Sequence, residues 1–472
     1  MQIASNLILN ADSYKASHWL QYPPGTDATF FYLESRGGVY ERTLFFGLQS
    51  ILKEYLARPI TQAMIEAART FLAAHGEPFN EAGWQHIVDA HGGRLPLRIR
   101  AVPEGAVVPT HQALMTVEST DPACFWLPSY VETLLLRVWY PTTVATLSWH
   151  VKQTLREYLE RTSDDPAAQL PFKLHDFGAR GVSSAESAAV GGMAHLVNFR
   201  GTDTMLGVLA AREYYGAEMA GYSIPATEHS TITAWGKAHE LDAYRNVLRQ
   251  FAKPGAVVAC VSDSYDLFHA IETMWGGALR DAVIASGATL VVRPDSGDPA
   301  DIVHQTLKAL NAAFGSTVNG KGYRVLNHVR VIQGDGVNPD SIRLILDRIT
   351  HAKYSADNLA FGMGGALLQK VNRDTQKFAL KCSAARIGGV WTDVFKDPVT
   401  DHGKASKRGR LTLARHRTHG SFKTVVLPDG AIAGDAAALG QGWEDAMATV
   451  WENGQLLRDW SFAEVRACSE DN

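Results

Sequence analysis

Ala288-Thr-Leu-Val-Val-Arg-Pro-Asp-Ser-Gly-Asp-Pro299 is the stretch whose reading decides the fold. Thr289 to Val292 is a short apolar, β-branched run of the kind buried on both faces of a parallel sheet. It leads directly into Arg293, Asp295 and Asp298. Pro299 suits the first position of a helix and Asp298 the N-cap before it. Ile302, Val303, Leu307, Leu310 and Phe314 then recur at helical spacing and form one apolar face. A buried strand ending in an Arg and two Asp before a capped helix is where α/β proteins carry their chemistry.

The same rhythm extends on both sides. Phe172–Leu174, Leu196–Phe199, Gly221–Ile224, Val257–Val261, Val329–Gln333 and Leu359–Phe361 each read as a strand running into a polar or Gly-rich loop. With the opening stretch they make about seven consecutive β/α units and no antiparallel hairpin between them. Such units close into a barrel or open into a doubly wound sheet, and in either case the loops after the strands converge on one face. Neither a Gly-x-Gly-x-x-Gly after an early strand nor a Gly-x-x-x-x-Gly-Lys-Ser/Thr is present, which argues against dinucleotide and P-loop folds. The expected fold is α/β, a barrel of about seven units over residues 166–376. Residues 1–165 read as mostly helical scaffold, with a strand at Ala28–Leu33 and a strand pair at Leu97–Val102 and Ala106–Val108. Residues 377–472 read as β-rich, with strands at Arg410–Ala414 and Phe422–Leu427.

At 472 residues with 46% hydrophobic and 20% charged side chains, the chain has the balance of a soluble globular protein of two or three units. A net charge of -4 gives no reason to expect nucleic acid or an anionic membrane as partner. Cys124, Cys260, Cys382 and Cys468 lie far apart without zinc-ligand spacing and read as reduced thiols in the cytoplasm. The first residues lack the basic segment of a secretion signal. Cys124–Trp149 is apolar but interrupted by Glu132, Arg137 and two prolines, the pattern of core helices rather than a membrane span.

If the loops converge, one mouth gathers Arg180, Arg293, His229, Asp203, Asp263, Asp295 and Asp335, with Phe177 and two Gly-rich turns. Cations and glycine amides suit phosphate groups. Carboxylates beside them suit ribose hydroxyls and Mg²⁺, and an aromatic suits a flat ring. Substitution at a ribose anomeric carbon passes through a cationic state, and a clamped pyrophosphate with carboxylates near the sugar is what that reaction needs.

The runs Asp12-Ser13-Tyr14-Lys15, His175-Asp176-Phe177-Gly178 with Arg180-Gly181, Glu228-His229-Ser230-Thr231, Arg293-Pro294-Asp295-Ser296-Gly297, Gln333-Gly334-Asp335-Gly336 and Phe395-Lys396-Asp397-Pro398 together resemble the nicotinamide phosphoribosyltransferase family over nearly the whole chain. The resemblance implies an irregular β/α barrel with a flanking αβ domain built from both chain ends, working as a homodimer. It implies phosphoribosyl transfer from phosphoribosyl pyrophosphate to nicotinamide with Mg²⁺, coupled to ATP through a phosphohistidine, in NAD salvage.

Carried over residue by residue, Phe177 would stack on one face of the pyridine ring and Tyr14 of a second subunit on the other. Asp203 would take the carboxamide NH₂ and repel nicotinate, and Ser223 would be a further substrate-binding residue. Arg293 would lie between base and phosphates, and Asp295, Gly334 and Asp335 would hold the ribose. Gly364, Gly365, Arg373 and Lys381 resemble the 5′-phosphate grip. Arg36, Arg180, Lys396 and Lys404 would hold pyrophosphate or ATP phosphates. His229 would be phosphorylated, with Asp263, Arg293 and Asp295 as its catalytic neighbours. No protein-held metal set is implied, since Mg²⁺ would be carried mainly by phosphates and water. Met363, Ala379 and Ala259 stand where the family typically has small hydroxyl residues, and Ala179 where it has an aromatic.

Three alternatives remain at this point. A nicotinate or quinolinate phosphoribosyltransferase would need a cation where Asp203 stands. A non-catalytic binding protein would be expected to have lost one of His229, Arg293, Asp295 and Asp335. A barrel glycosidase with paired carboxylates fits poorly with so many Arg, Lys and Gly residues in the same loops.

Overall fold

The computed structural model describes residues 5–400, 406–428, 430–431 and 439–470. The chain divides into a flanking unit of residues 1–146, 213–217 and 372–472 and a second unit of residues 147–212 and 218–371. Residues 147–165, the end of the segment read as scaffold, group with the second unit, and residues 372–376 with the first. Among the described residues no helix is long and apolar enough to cross a membrane.

The second unit holds six parallel strands: β1 Leu174–Asp176, β2 Gly201–Thr202, β3 Val257–Val261, β4 Thr289–Arg293, β5 Val329–Gln333 and β6 Leu359–Met363. Their order across the sheet is β2-β1-β6-β5-β4-β3. The two edges are joined by the segment around Ser223, which forms parallel bridges from Tyr222 to Gly201 in β2 and from Ala226 to Ala259 in β3. Tyr222 N–H donates to Arg200 at 2.7 Å and Ala259 N–H to Pro225 at 3.0 Å, so the seam is hydrogen-bonded on both sides. The seventh expected strand is therefore this seam rather than a full strand.

Leu196–Phe199 is not a strand. The helix Ala185–His195 runs on into a turn there, with the Leu196, Asn198 and Phe199 amides donating back to Gly192 and His195. The two-residue strand β2 comes after it. A four-residue buried stretch with three apolar side chains fits either state, and here the carbonyls of the preceding helix captured it.

Alternation along each strand decides what faces the barrel interior. Ala259, Val291 and Ile332 form a small inner core against Phe177, Ile224 and Ala360. Two residues beyond Val291 on the same face stands Arg293, and two beyond Ile332 stands Gly334. The interior thus narrows to small apolar side chains and ends in the chemistry-bearing loops. Outside, Val303, Leu307, Leu310 and Phe314 of the helix Pro299–Phe314 are buried, and Asp298 caps it by accepting the Asp301 N–H at 2.9 Å.

In the flanking unit both chain ends build one seven-stranded sheet. Thr26–Ser35 pairs antiparallel with Phe378–Ile387 on one side and Ala113–Ser119 on the other. The expected pairing of Leu97–Val102 with Ala106–Val108 does not form. Leu97–Ala101 pairs with Ala113–Ser119, a strand the sequence reading left out, and Val107–Pro109 pairs with Arg42–Leu44. Leu411–His416 and Phe422–Val426 pair as a hairpin.

Candidate active site

The C-terminal ends of β1, β3 and β4, with the seam, surround a cavity of about 450 Å³, the size of a small-molecule site. It is lined by His175, Phe177, Arg180, Asp203, Ser223 and Arg293 together with Ile224, Ala226, Thr227, Glu228, Ala259 and Ile332.

Phe177 is placed by glycine. A Cβ built on Gly362 would lie 1.9 Å from Phe177 Cε2, so β6 yields its own side-chain volume to the aromatic ring. A Cβ on Gly334 would stand 3.5 Å from the same atom, an ordinary contact. The Phe177 N–H donates to Met363 at 3.0 Å, which continues the β1–β6 ladder past its end and fixes the backbone beneath the ring. Gly364 packs on the Phe177 carbonyl, and Gly365 opens the short helix Gly365–Leu368.

At the other wall the Ser223 hydroxyl donates to Asp203 Oδ1. Asp203 is exposed and its backbone N–H donates to Asp176 at 2.9 Å. Asp176 is buried beneath, and burial pushes its carboxyl up to about 6 despite the Gly178 N–H donating to Oδ1 at 2.7 Å. His175 is pulled below the usual imidazole value by burial, with the Asp203 charge only partly offsetting this, so it lines the cavity as a neutral ring.

A second cluster centres on Asp263, which is almost fully buried. It accepts hydrogen bonds from His229 Nε2 at 3.1 Å, the Asp295 N–H at 2.9 Å and the Ser296 hydroxyl at 2.7 Å. Burial alone would raise its carboxyl. The three donors and the imidazole charge outweigh that and hold it below the usual carboxylate range. Asp295 stands 3.8 Å from His229 Nδ1 and 3.6 Å from the Arg293 guanidinium, loose contacts that leave both side chains open. Arg293 Nε is buried without a hydrogen-bond partner. Arg293 also lines the cavity, and a guanidinium there has the charge and the donors to hold an anionic ligand. Asp335 is exposed at the end of β5.

The structure thus brings together Phe177, Arg180, Asp203, Ser223 and Arg293 around one cavity, and His229, Asp263, Asp295 and Arg293 in one adjoining network. Gly334, Gly364 and Gly365 lie along the Phe177 loop. The remaining expected residues belong to the flanking unit. There Lys381 is partly buried and is pushed below the usual ammonium value, first by desolvation and then by the neighbouring charges of Arg36, Lys396 and Lys15, with Glu132 opposing. Arg36 is held by Glu34 at 2.9 Å, Arg373 is exposed beside Asp374, and Tyr14 is 54% exposed. Lys404 lies outside the described residues.

Sequence reasoning missed three contributors. Ser296 fixes Asp263, although only the motif containing it was singled out. Thr227 and Glu228 complete the cavity wall, and Thr227 also ties the seam to β3 by accepting the Val261 N–H at 2.9 Å.

Comparison with known proteins agrees with this geometry. Residues 172–437 match the model of the nicotinate phosphoribosyltransferase (NAPRTase) family, and residues 6–99 match that of the nicotinamide phosphoribosyltransferase N-terminal domain. A nicotinamide phosphoribosyltransferase of Xanthomonas campestris pv. campestris is 68% identical over 99% of this chain and 98% of its own. That of Acinetobacter baylyi is 31% identical over 97% and 96%. Among solved structures, a nicotinate-nucleotide pyrophosphorylase of Pyrococcus furiosus aligns over 100% of this chain and 96% of its own with a TM-score of 0.60 at 15% identity. Human nicotinic acid phosphoribosyltransferase aligns over 97% and 92% with a TM-score of 0.58 at 18% identity, and at these identities the likeness is one of fold. With Phe177 against the inner core, Arg293 lining the cavity and His229 bonded to the buried Asp263, the chain belongs to the nicotinamide phosphoribosyltransferase family of enzymes.

Proposed function

We propose that the chain transfers the 5-phosphoribosyl group from phosphoribosyl pyrophosphate to nicotinamide, giving nicotinamide mononucleotide and pyrophosphate. The pyridine ring stacks on Phe177 inside the barrel mouth. Its carboxamide N–H donates to Asp203, whose other oxygen is engaged by Ser223, and the same charge disfavours a nicotinate carboxylate. The ring nitrogen attacks the anomeric carbon as the bond to pyrophosphate breaks, the electron pair leaving on the pyrophosphate oxygen. Asp295 and Asp335 serve the sugar, where positive charge develops, and Arg293 and Arg180 serve the anionic side. The observation that carries this reading is the buried, unpartnered Arg293 Nε between an aromatic pocket and a His–Asp network.

We further propose that ATP phosphorylates His229. Asp263 accepts from Nε2–H and so leaves the lone pair on Nδ1. Nδ1 attacks the terminal phosphorus, ADP departs with the electron pair, and water later cleaves the P–N bond. Mg²⁺ fits as a companion of the phosphates. Asp263 already accepts three hydrogen bonds, whereas Asp295 makes only loose contacts and Asp335 is exposed, so these two carboxylates are the more open to such an ion. Such a site leaves most of the hard cation's coordination to phosphate and water, for which it supplies charge neutralisation. In the flanking unit the Arg36, Lys381 and Lys396 group has the charge to take further phosphate oxygens. The assembly proposed is a homodimer, which sedimentation would report.

The test is mononucleotide formation with phosphoribosyl pyrophosphate and Mg²⁺, from nicotinamide or nicotinic acid, each with and without ATP. Product from nicotinamide alone, raised by ATP, is expected. Product from nicotinic acid would overturn the reading of Asp203, and an ATP-independent rate would overturn that of His229.

A further inference from the structure

The flanking unit holds a group of side chains that the transfer reaction does not use. His86 and His91 lie on the helix Glu81–His91, and Asp121 and Cys124 belong to the turn after the strand Ala113–Ser119. Asp121 Oδ1 caps that turn by accepting the Ala123 N–H at 2.9 Å. This aims Oδ2 at the helix, where it meets His86 Nε2 at 2.7 Å and His91 Nε2 at 2.6 Å. Cys124 is a free thiol with no solvent exposure.

A bridge between a carboxylate and two imidazoles would by itself be an ion-pair network. It does not account for the thiol. One donor atom each from His86, Asp121 and Cys124 lies within 4.8 Å of the other two, which is the spread of ligands around a single ion. Three chemically different donors, nitrogen, oxygen and sulfur, converge from two elements that are 35 residues apart in the chain. Imidazole and thiolate together select a borderline divalent ion of the zinc class over Mg²⁺ or Ca²⁺, and four-coordination by His, Cys and Asp is the geometry such an ion prefers.

We propose that His86, Asp121 and Cys124, with His91 as fourth ligand, form a structural site for a zinc-class divalent cation that ties the helix Glu81–His91 to the loop beside it. On binding, Cys124 loses its thiol proton to solvent and the two histidines turn neutral lone pairs to the ion. A bound dication supplies the opposite charge that a buried thiolate needs. The spacing of the cysteines along the chain concealed the site, because its ligands meet only in the folded unit.

The test uses the full chain, cleared of metal with a chelator and titrated with Co²⁺. Visible d–d absorption and a near-ultraviolet thiolate-to-cobalt charge-transfer band are expected to saturate together at one ion per chain and to be displaced by Zn²⁺. Cys124→Ser should remove the charge-transfer band. His86→Gln, which alters only a half-buried side chain, should weaken cobalt binding at least ~10-fold with unchanged far-ultraviolet circular dichroism, and it keeps the test valid if the buried cysteine variant fails to fold. Absence of the thiolate band in the parent chain at stoichiometric cobalt would overturn the proposal. So would its persistence in Cys124→Ser, or cobalt affinity indifferent to His86→Gln.

Discussion

Gly362→Ala gives the most direct test of how the base pocket is built. The added methyl would lie 1.9 Å from Phe177 Cε2, whereas carbon atoms in contact need about 3.5 Å. The ring must therefore withdraw by about 1.5 Å or the β1–β6 backbone must part. Overpacking of this kind destabilises by about 1–3 kcal/mol. The effect on catalysis is larger in proportion, since misplacing a reacting group by about 1 Å lowers the rate by up to ~10²-fold, or about 2.7 kcal/mol. The assay is steady-state mononucleotide formation with nicotinamide varied at saturating phosphoribosyl pyrophosphate, beside thermal unfolding of the same samples. The decisive comparison is a double-mutant cycle. In a Phe177→Ala background the methyl has no ring to displace, so Gly362→Ala should then add less than about 0.5 kcal/mol. A kcat/KM within about threefold of the parent, or an equal loss in the Phe177→Ala background, would refute the assignment of Gly362 as the seat of the stacking ring.

Three further outcomes are expected. Asp203→Asn removes the charge that faces the carboxamide, so the kcat/KM ratio of nicotinate to nicotinamide should rise at least ~10-fold, about 1.4 kcal/mol, and an unchanged ratio would show that selectivity resides elsewhere. Asp263→Asn weakens the carboxylate partner of His229 and should lower ATP-stimulated turnover by ~10²-fold, read from mononucleotide and phosphate release together; retained stimulation would remove His229–Asp263 from the ATP step. Asp176 has its folded-state value raised by burial from 3.8 to about 6. The folded protein therefore binds that proton more tightly than the unfolded chain, and stability falls as pH rises from about 4 to 6. Asp176→Asn should remove that slope and stabilise the protein at neutral pH by up to ~3 kcal/mol, as chemical denaturation at a series of pH values would report; a slope unaltered by the substitution would contradict the burial argument.

What the sequence made legible was whatever depends on local pattern. Thr289–Val292, Val329–Gln333 and Val257–Val261 are β-branched runs that end in charged or Gly-rich loops, and each is a strand at its expected place. Asp298 before Pro299 gave the helix start, and the structure has that cap. Leu196–Phe199 was misread because three buried apolar residues around Asn198 carry no period long enough to separate a strand from the tail of a helix. Leu97–Ala101 took the wrong partner because strand pairing is a tertiary choice, and Ala113–Ser119 competes for the same edge. The grouping of Phe177, Asp203 and Arg293 followed from barrel logic and motif resemblance together. Ser296 as the donor that fixes Asp263, and Gly362 as the seat of Phe177, depend on distances that no spacing encodes.

The seam that joins the two edges of the barrel sheet is also the wall that carries Ser223 and Ile224 into the base cavity. It is held there by two single-residue bridges rather than a ladder. Segments with so few pairings open at lower free energy than the strands beside them. On the proposed reading, recognition of the base falls on this weakly paired joint of the barrel, and a ligand that fills the cavity would also button the barrel shut. Redesign of substrate choice at Ser223 or Ile224 will alter the opening frequency of the whole ring of strands, and hydrogen exchange at Tyr222 and Ala259 becomes a gauge of occupancy without reference to turnover.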